Sequence, residues 1–235
     1  MLKRKSIPVL SKPAHSWVKI SGFVGLLALV VSLSSCGSSS DSDELPILGE
    51  RSFKVHVVDG KTVTDSVYQT IPDFAFVDQY NDTVTGKTLD NKIYVADFFF
   101  TTCPTICPKM KVQLKRVYEK YKGNPNLMLL SHTIDPAHDS VAVLHEFAKN
   151  LGVTGKQWLF VTGDRDKIYD IGQNSYMVTA QEDSTAAGGV VHSGAFILVD
   201  THKRIRGLYD GTTEDGVDKL MKDIDKLLHE SEKKS

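Results

Sequence analysis

The sequence carries no surplus of either charge. Its 28 Lys and Arg stand against 29 Asp and Glu, a formal net of −1. A nucleic-acid binder needs a basic face, so that class is excluded. Three cysteines in 235 residues are too few for a disulfide-stapled small protein. Collagen-like, coiled-coil and wholly disordered chains are excluded by composition, and no internal repeat is visible. The chain also lacks the run of ~20 apolar residues that a membrane-spanning helix needs. What remains is ordinary: 41% apolar and 24% charged residues, enough for one folded domain or two small ones.

Charge is scarce in one place only. Residues 1–35 contain no acid but hold Lys3, Arg4, Lys5, Lys12 and Lys19; the rest has 23 basic and 29 acidic residues. Ile20–Leu33 is apolar apart from Ser21, Gly22, Gly25 and Ser32. A basic start followed by a short apolar core is the signal-peptide pattern. The run ends in Leu33-Ser34-Ser35-Cys36-Gly37, which resembles a bacterial lipobox. In such signals the cysteine, here Cys36, becomes the lipidated N-terminus. The alternative is an uncleaved anchor helix with an incidental Cys36. Both readings export the rest of the chain and put Cys103 and Cys107 where disulfides persist. The expected organisation is a lipoprotein signal peptide over 1–35, a flexible polar tether over 36–50 and a folded domain over 51–235. The domain would face the periplasm, held to a bacterial membrane by its lipid.

From Arg51 the pattern is globular. Phe53–Val58 and Thr62–Tyr68 flank Asp59-Gly60, a tight-turn dipeptide, and predict a hairpin. Phe74–Val77 and Thr83–Thr85 flank a second turn at Asn81-Asp82. Lys92–Phe100 is a continuous apolar run, as expected of a strand buried on both faces. Helical spacing follows over Pro108–Tyr121, a second buried strand over Asn126–Ile134 and a helix over Val141–Leu151. A short strand over Trp158–Val161 precedes a helix capped by Asp164. Gln181–Gly189 reads as a loop. His192–Asp200 and Arg204–Tyr209 read as a hairpin, and Glu214–His229 as a closing amphipathic helix. This order predicts an α/β fold, a thioredoxin-like three-layer sandwich with an extra N-terminal β-hairpin. Chemistry in such folds sits where a central strand hands over to a helix.

That place holds Thr101-Thr102-Cys103-Pro104-Thr105-Ile106-Cys107-Pro108. Pro108 suits a first helical turn, so an irregular turn over Cys103–Cys107 is expected before it. A helix N-terminus favours the thiolate. Three readings stand: a structural pair, a redox dithiol, or a metal site. Two soft thiolates favour Cu(I), zinc or an iron–sulfur cluster, but zinc and clusters usually take four protein ligands. With two cysteines in the domain, a third donor must be His, Met or a carboxylate, and two sulfurs with one imidazole suit copper. Fold geometry makes His192 the leading candidate, since it opens a strand after the Gly188-Gly189 loop. His132 and His138 are also available, and a structural histidine is the alternative.

These residues resemble the SCO/SenC family of copper proteins that serve cytochrome c oxidase assembly. The resemblance rests on the Cys-Pro-x-x-Cys-Pro block after Phe99-Phe100-Thr101-Thr102. Further matches are Ile134-Asp135-Pro136-Ala137-His138-Asp139, Trp158–Gly163, Val191-His192-Ser193 with its following strand, and Tyr209-Asp210-Gly211. It implies copper, as Cu(I) or Cu(II), bound by Cys103, Cys107 and His192, with Asp135 near the site. The same two cysteines would form a disulfide when oxidised. Implied partners are the copper-bearing oxidase subunit, a copper donor protein, and the membrane through the lipid. Thr105 and Lys109 stand where the family often has acids. The competing reading is an enzyme, a thiol–disulfide oxidoreductase using Cys103 and Cys107 as its redox-active pair. Against it stand the Cys-x-x-x-Cys spacing and the absence of any proline after Pro136 to face the cysteines. A peroxiredoxin-like peroxidase would want a proline upstream of its cysteine, and none lies between Asp73 and Cys103.

Overall fold

The structure is a computed structural model. It describes residues 44–182 and 190–233, with 180–182, 190–192 and 233 described by their backbone alone. Cys36 and the apolar segment before it lie outside these residues. Among the described residues no helix is long and apolar enough to cross a membrane.

The first element stands apart. β1 (Arg51–Val58) and β2 (Lys61–Tyr68) pair antiparallel from Arg51 opposite Tyr68 to Val58 opposite Lys61. Asp59 and Gly60 take positive φ, 51° and 74°, as the expected type I′ turn demands. Every residue of β1 is exposed, including Phe53, Val55 and Val57.

The remaining strands are β3 (Ala75–Asp78), β4 (Thr83–Thr85), β5 (Ile93–Phe99), β6 (Leu127–Thr133), β7 (Trp158–Thr162), β8 (Ala180–Glu182), β9 (Val190–His192), β10 (Ala195–Val199) and β11 (Ile205–Asp210). The helices are α1 (Cys107–Lys120), α2 (Val141–Asn150), α3 (Arg165–Asp170) and α4 (Glu214–Lys233). Seven strands form one sheet in the order β11-β10-β5-β6-β7-β3-β4. β5, β6 and β7 are parallel and the outer strands antiparallel. All seven residues of β5 and of β6 are buried, which is why their sequences are unbroken apolar runs rather than alternating ones.

Both parallel crossovers step the same way along the sheet, and right-handed connections then put α1 and α2 on the same face. The contacts agree. Tyr118 of α1 packs on Trp158, and Phe147 of α2 on Phe99 and Phe160. α4 joins that layer through Arg116–Asp218 and Lys120–Asp225 ion pairs to α1. On the other face Tyr176, just after α3, meets Phe98 and shares a hydrogen bond with Tyr94. The result is the expected three-layer, thioredoxin-like α/β sandwich. Asp164 caps α3 by accepting from the Lys167 amide, 3.0 Å away.

The residues before the hairpin are pinned to the sheet. Arg206, itself buried, donates to the carbonyls of Leu45 (2.5 Å) and Pro46 (3.1 Å) and pairs with Asp200. The Leu48 amide donates to the Ile205 carbonyl at 2.8 Å. The chain therefore enters the fold at the β10–β11 turn, level with the N-terminal end of β5.

One strand differs from its expected course. His192 does not open the β10 strand; it closes β9, which pairs with β8 so that Ala180 faces His192. The Ser193 amide extends that pairing, donating to the Thr179 carbonyl at 3.0 Å. Gly194 lets the backbone pass close to its neighbours: a Cβ there would come within 2.9 Å of Thr212. The Gln181–Gly189 loop falls largely on 183–189, outside the described residues.

Candidate metal centre

β5 ends at the point in the sheet where the chain order reverses, with β6 on one side and β10 on the other. A crevice at such a switch point is where α/β sheets place their chemistry. Phe100 continues the strand and stays buried. Its carbonyl accepts from the Cys103 amide at 3.3 Å, starting the irregular turn. α1 begins at Cys107, with Pro108 in the first turn.

The turn brings the two cysteines together. Both are buried, Cys103 6% and Cys107 0% exposed, and their sulfurs are hydrogen-bond neighbours. Thr105 Oγ1 lies 3.6 Å from Cys103 Sγ. Burial pushes the Cys107 thiol well up from its ordinary range, against a hydrogen bond with the Phe100 backbone, and the Cys103 and Asp97 side chains add to the rise. The helix N-terminus was expected to favour the thiolate. Complete burial outweighs it, because a dipole near the surface is worth ~0.3–1 kcal/mol whereas burying a bare charge costs several. In the metal-free protein Cys107 is thus a neutral thiol, and a thiophilic ion has to displace its proton.

Two carboxyl groups frame the pair. Asp97, buried in β5, accepts from Ser131 Oγ at 2.5 Å, and Ser131 Oγ accepts from Trp158 Nε1 at 2.9 Å. Burial holds its pKa up at about 7, against the Ser131 hydrogen bond. Asp139, fully buried, gathers the strand ends above. Its carboxylate accepts from the Thr101 amide (3.0 Å), the Thr101 hydroxyl, Thr133 Oγ1 (2.5 Å) and His138 Nδ1 (3.0 Å). Thr101 stands two residues before Cys103, so this clamp fixes where the turn leaves β5. The Asp139 hydrogen bond raises the pKa of the exposed His138.

Asp135 opens the turn after β6. It is half-buried, its amide donates to Thr133 Oγ1 at 3.0 Å and its carbonyl accepts from the amides of His138 and Asp139. The strand end that carries His192 reaches the cysteine turn from the other side. Gly194, two residues on, lies against Ile106: a Cβ there would sit 3.8 Å from Ile106 Cδ1. The His192 side chain is outside the described set. Among the described residues no group of three or more His, Cys, Asp or Glu could hold a metal ion. A centre built from those residue types at the two thiols therefore draws its third side chain from outside the described set. The other histidines are engaged elsewhere: His56 with Asp65, His145 with the Gln79 carbonyl, His202 with Thr201 and His229 with Glu232.

Sequence reasoning missed three residues near or under the site. Asp97 was absorbed into an apolar run, although a lone acid there was itself a signal. Lys111 follows Cys107 by one helical turn and carries no signal in the sequence beyond that spacing. Asp139 was noted only as part of a matching segment. His132, one of the histidines the sequence left available, lies on the far face of the sheet. It stacks on Phe98 at 4.9 Å and meets Phe74, Phe76 and Tyr176 at ring edges or tilts.

Comparison with known proteins fits this arrangement. The SCO1 protein homolog of Bacillus subtilis is 26% identical over 167 residues, covering 70% of this chain and 86% of that one. The solved structure of BsSco, described as a member of the Sco family of cytochrome c oxidase assembly proteins with a disulfide switch, is 26% identical with a TM-score of 0.60. It covers 68% of this chain and 93% of its own. Arabidopsis thaliana ScoI with copper bound is 25% identical with a TM-score of 0.56, covering 68% and 98%. The profile of the SCO1/SenC family matches residues 62–229. The chain belongs to the SCO1/SenC family.

Proposed function

We propose that this protein binds copper and serves the assembly of cytochrome c oxidase, taking the ion from a donor and passing it to the copper-bearing oxidase subunit. Cys103 and Cys107 supply thiolates and His192 supplies an imidazole. The observation that carries this reading is the pair of buried, adjacent cysteines at the sheet's switch point, with Gly194, two residues past His192, beside Ile106 of the cysteine turn. The donor chemistry fits. Two thiolates and one neutral imidazole make a soft, low-coordinate set that suits Cu(I) and excludes hard cations. Relatives that carry copper, ScoI of Arabidopsis thaliana among them, support it. Binding releases the thiol protons, so loading weakens as pH falls.

The lipid on Cys36 would hold the domain at a bacterial membrane, facing the periplasm. Asp135 would lie beside the docking partner as an acid on the rim of the cysteine turn.

A second reading, thiol–disulfide exchange, is favoured by one observation. The two sulfurs are hydrogen-bond neighbours, near enough for a disulfide to close, and BsSco is described as having a disulfide switch. In that exchange the two thiols would pass two electrons and two protons to a target disulfide, reducing it to two thiols and leaving Cys103–Cys107 as a disulfide that blocks copper loading. The two readings separate in one experiment. The reduced soluble fragment 44–235 is titrated with Cu(I) and with Cu(II), and its rate of disulfide reduction is measured. One copper per chain with poor turnover supports the copper reading, and the reverse supports exchange.

A further inference from the structure

A lysine on a helix surface normally lays its stem on the protein and its ammonium in water. Lys111 does not. It follows Cys107 by four residues on α1 and so shares that residue's face of the helix. Its side chain is half-buried, and Nζ lies 4.3 Å from the centre of the Phe147 ring. Phe147 packs in turn on Phe99, the last residue of β5, at 5.2 Å. The ammonium is thereby held between α1 and α2, at the strand end from which the cysteine turn departs. Burial pulls the Lys111 pKa down, while attraction to Cys107, Cys103 and Asp139 opposes that fall. Once the thiols give up their protons, this half-buried cation stands one helical turn from Cys107, in surroundings where charges interact more strongly than in bulk water.

The charge of the loaded site decides what this cation does. Two thiolates and a neutral imidazole carry −2. Adding Cu(I) leaves −1, and adding Cu(II) leaves zero. Nearby negative charge works against the cuprous form. Asp97 and Asp139 are the acids nearest the pair, and Asp139 turns its oxygens to four donors.

We infer that Lys111 biases the two-cysteine centre toward Cu(I), supplying the positive charge that the anionic cuprous site needs and the neutral cupric site does not. The inference rests on the copper reading above and names what sets the working oxidation state. The alternative is that Lys111 only packs on Phe147 as a cation over a ring, a contact of stability and not of redox balance.

Lys111→Met separates the two, since a thioether keeps the contact with Phe147 and removes the charge; Lys111→Arg restores the charge. The full chain, reduced, is titrated with Cu(I) and Cu(II) ions against calibrated chelators, and the metal-free melting temperature is recorded. We expect Lys111→Met to lower the Cu(I) affinity about tenfold relative to Cu(II), a fall of about 59 mV in the copper couple. Lys111→Arg should keep the parent ratio. Equal changes in both affinities, or an unchanged ratio in Lys111→Met, overturn the inference and leave the copper reading standing. A parent protein that binds neither ion overturns the copper reading and this inference together.

Discussion

His132 is a titratable side chain sealed inside a ring of aromatics, and it should govern how this fold responds to acid. It is fully buried, and neither ring nitrogen has a hydrogen-bond partner among the described residues. Burial lowers its pKa from 6.5 to about 3. In the unfolded chain it titrates near 6.5. Between these values the unfolded state binds the extra proton, so stability drops as pH falls through this window. At 1.36 kcal/mol per pKa unit, the loss from pH 7 to pH 4 is roughly 3 kcal/mol. Asp97 works the other way. Its folded pKa of about 7 lies above the ordinary 3.8, so the folded state holds the proton longer, and stability drops as pH rises from about 4 to 7. That effect is also on the order of 3–4 kcal/mol. The two groups sit on opposite faces of the sheet, one strand apart, and nearly cancel. His132→Leu should therefore become less stable as pH rises from 4 to 7, with Asp97 unopposed. Asp97→Asn should become less stable as pH falls. The assay is urea unfolding of the parent and both variants at pH 4, 5.5 and 7. Parallel pH profiles for all three proteins would falsify the assignment of these titrations to the buried pair.

Asp139→Ala leaves four donors without their acceptor and should cost about 3 kcal/mol, with the melting temperature down by roughly 6–12 °C for a chain of this size. It should also weaken copper binding, because Thr101 no longer fixes the cysteine turn; an unchanged copper affinity would show that the turn holds itself. Cys36→Ser should move the protein from the membrane to the soluble fraction with copper affinity unaltered, and membrane retention after that change would instead favour an uncleaved anchor helix.

Much of this architecture was visible as pattern, and the reasons differ from element to element. β5 and β6 could be read because burial on both faces leaves no polar alternation to confuse them, and the Asp59-Gly60 turn because few other dipeptides accept two positive φ values. The break between β9 and β10 could not be read. Val190–Val199 is a mostly apolar stretch, and what divides it is a change of partner: its first residues pair with the strand before the loop through Ser193 against Thr179, and Gly194 then fits against Thr212. The cysteine pair was legible from spacing and its place before a helix. Its electrostatics were not, because burial depends on everything packed above it. The helix start at Cys107 argued for a thiolate, and the closed core around it argues for a thiol. Lys111 and Asp139 act through α2 and the β6–α2 loop, contacts that no local pattern announces.

The central claim is that one copper ion is gripped jointly by Cys103, Cys107 and His192. It is tested most directly by X-ray absorption of the reduced, Cu(I)-loaded protein beside its His192→Ala variant. The account predicts two sulfur scatterers and one nitrogen in the parent, with the nitrogen and most of the affinity lost in the variant. An identical copper shell and affinity in both proteins would contradict it.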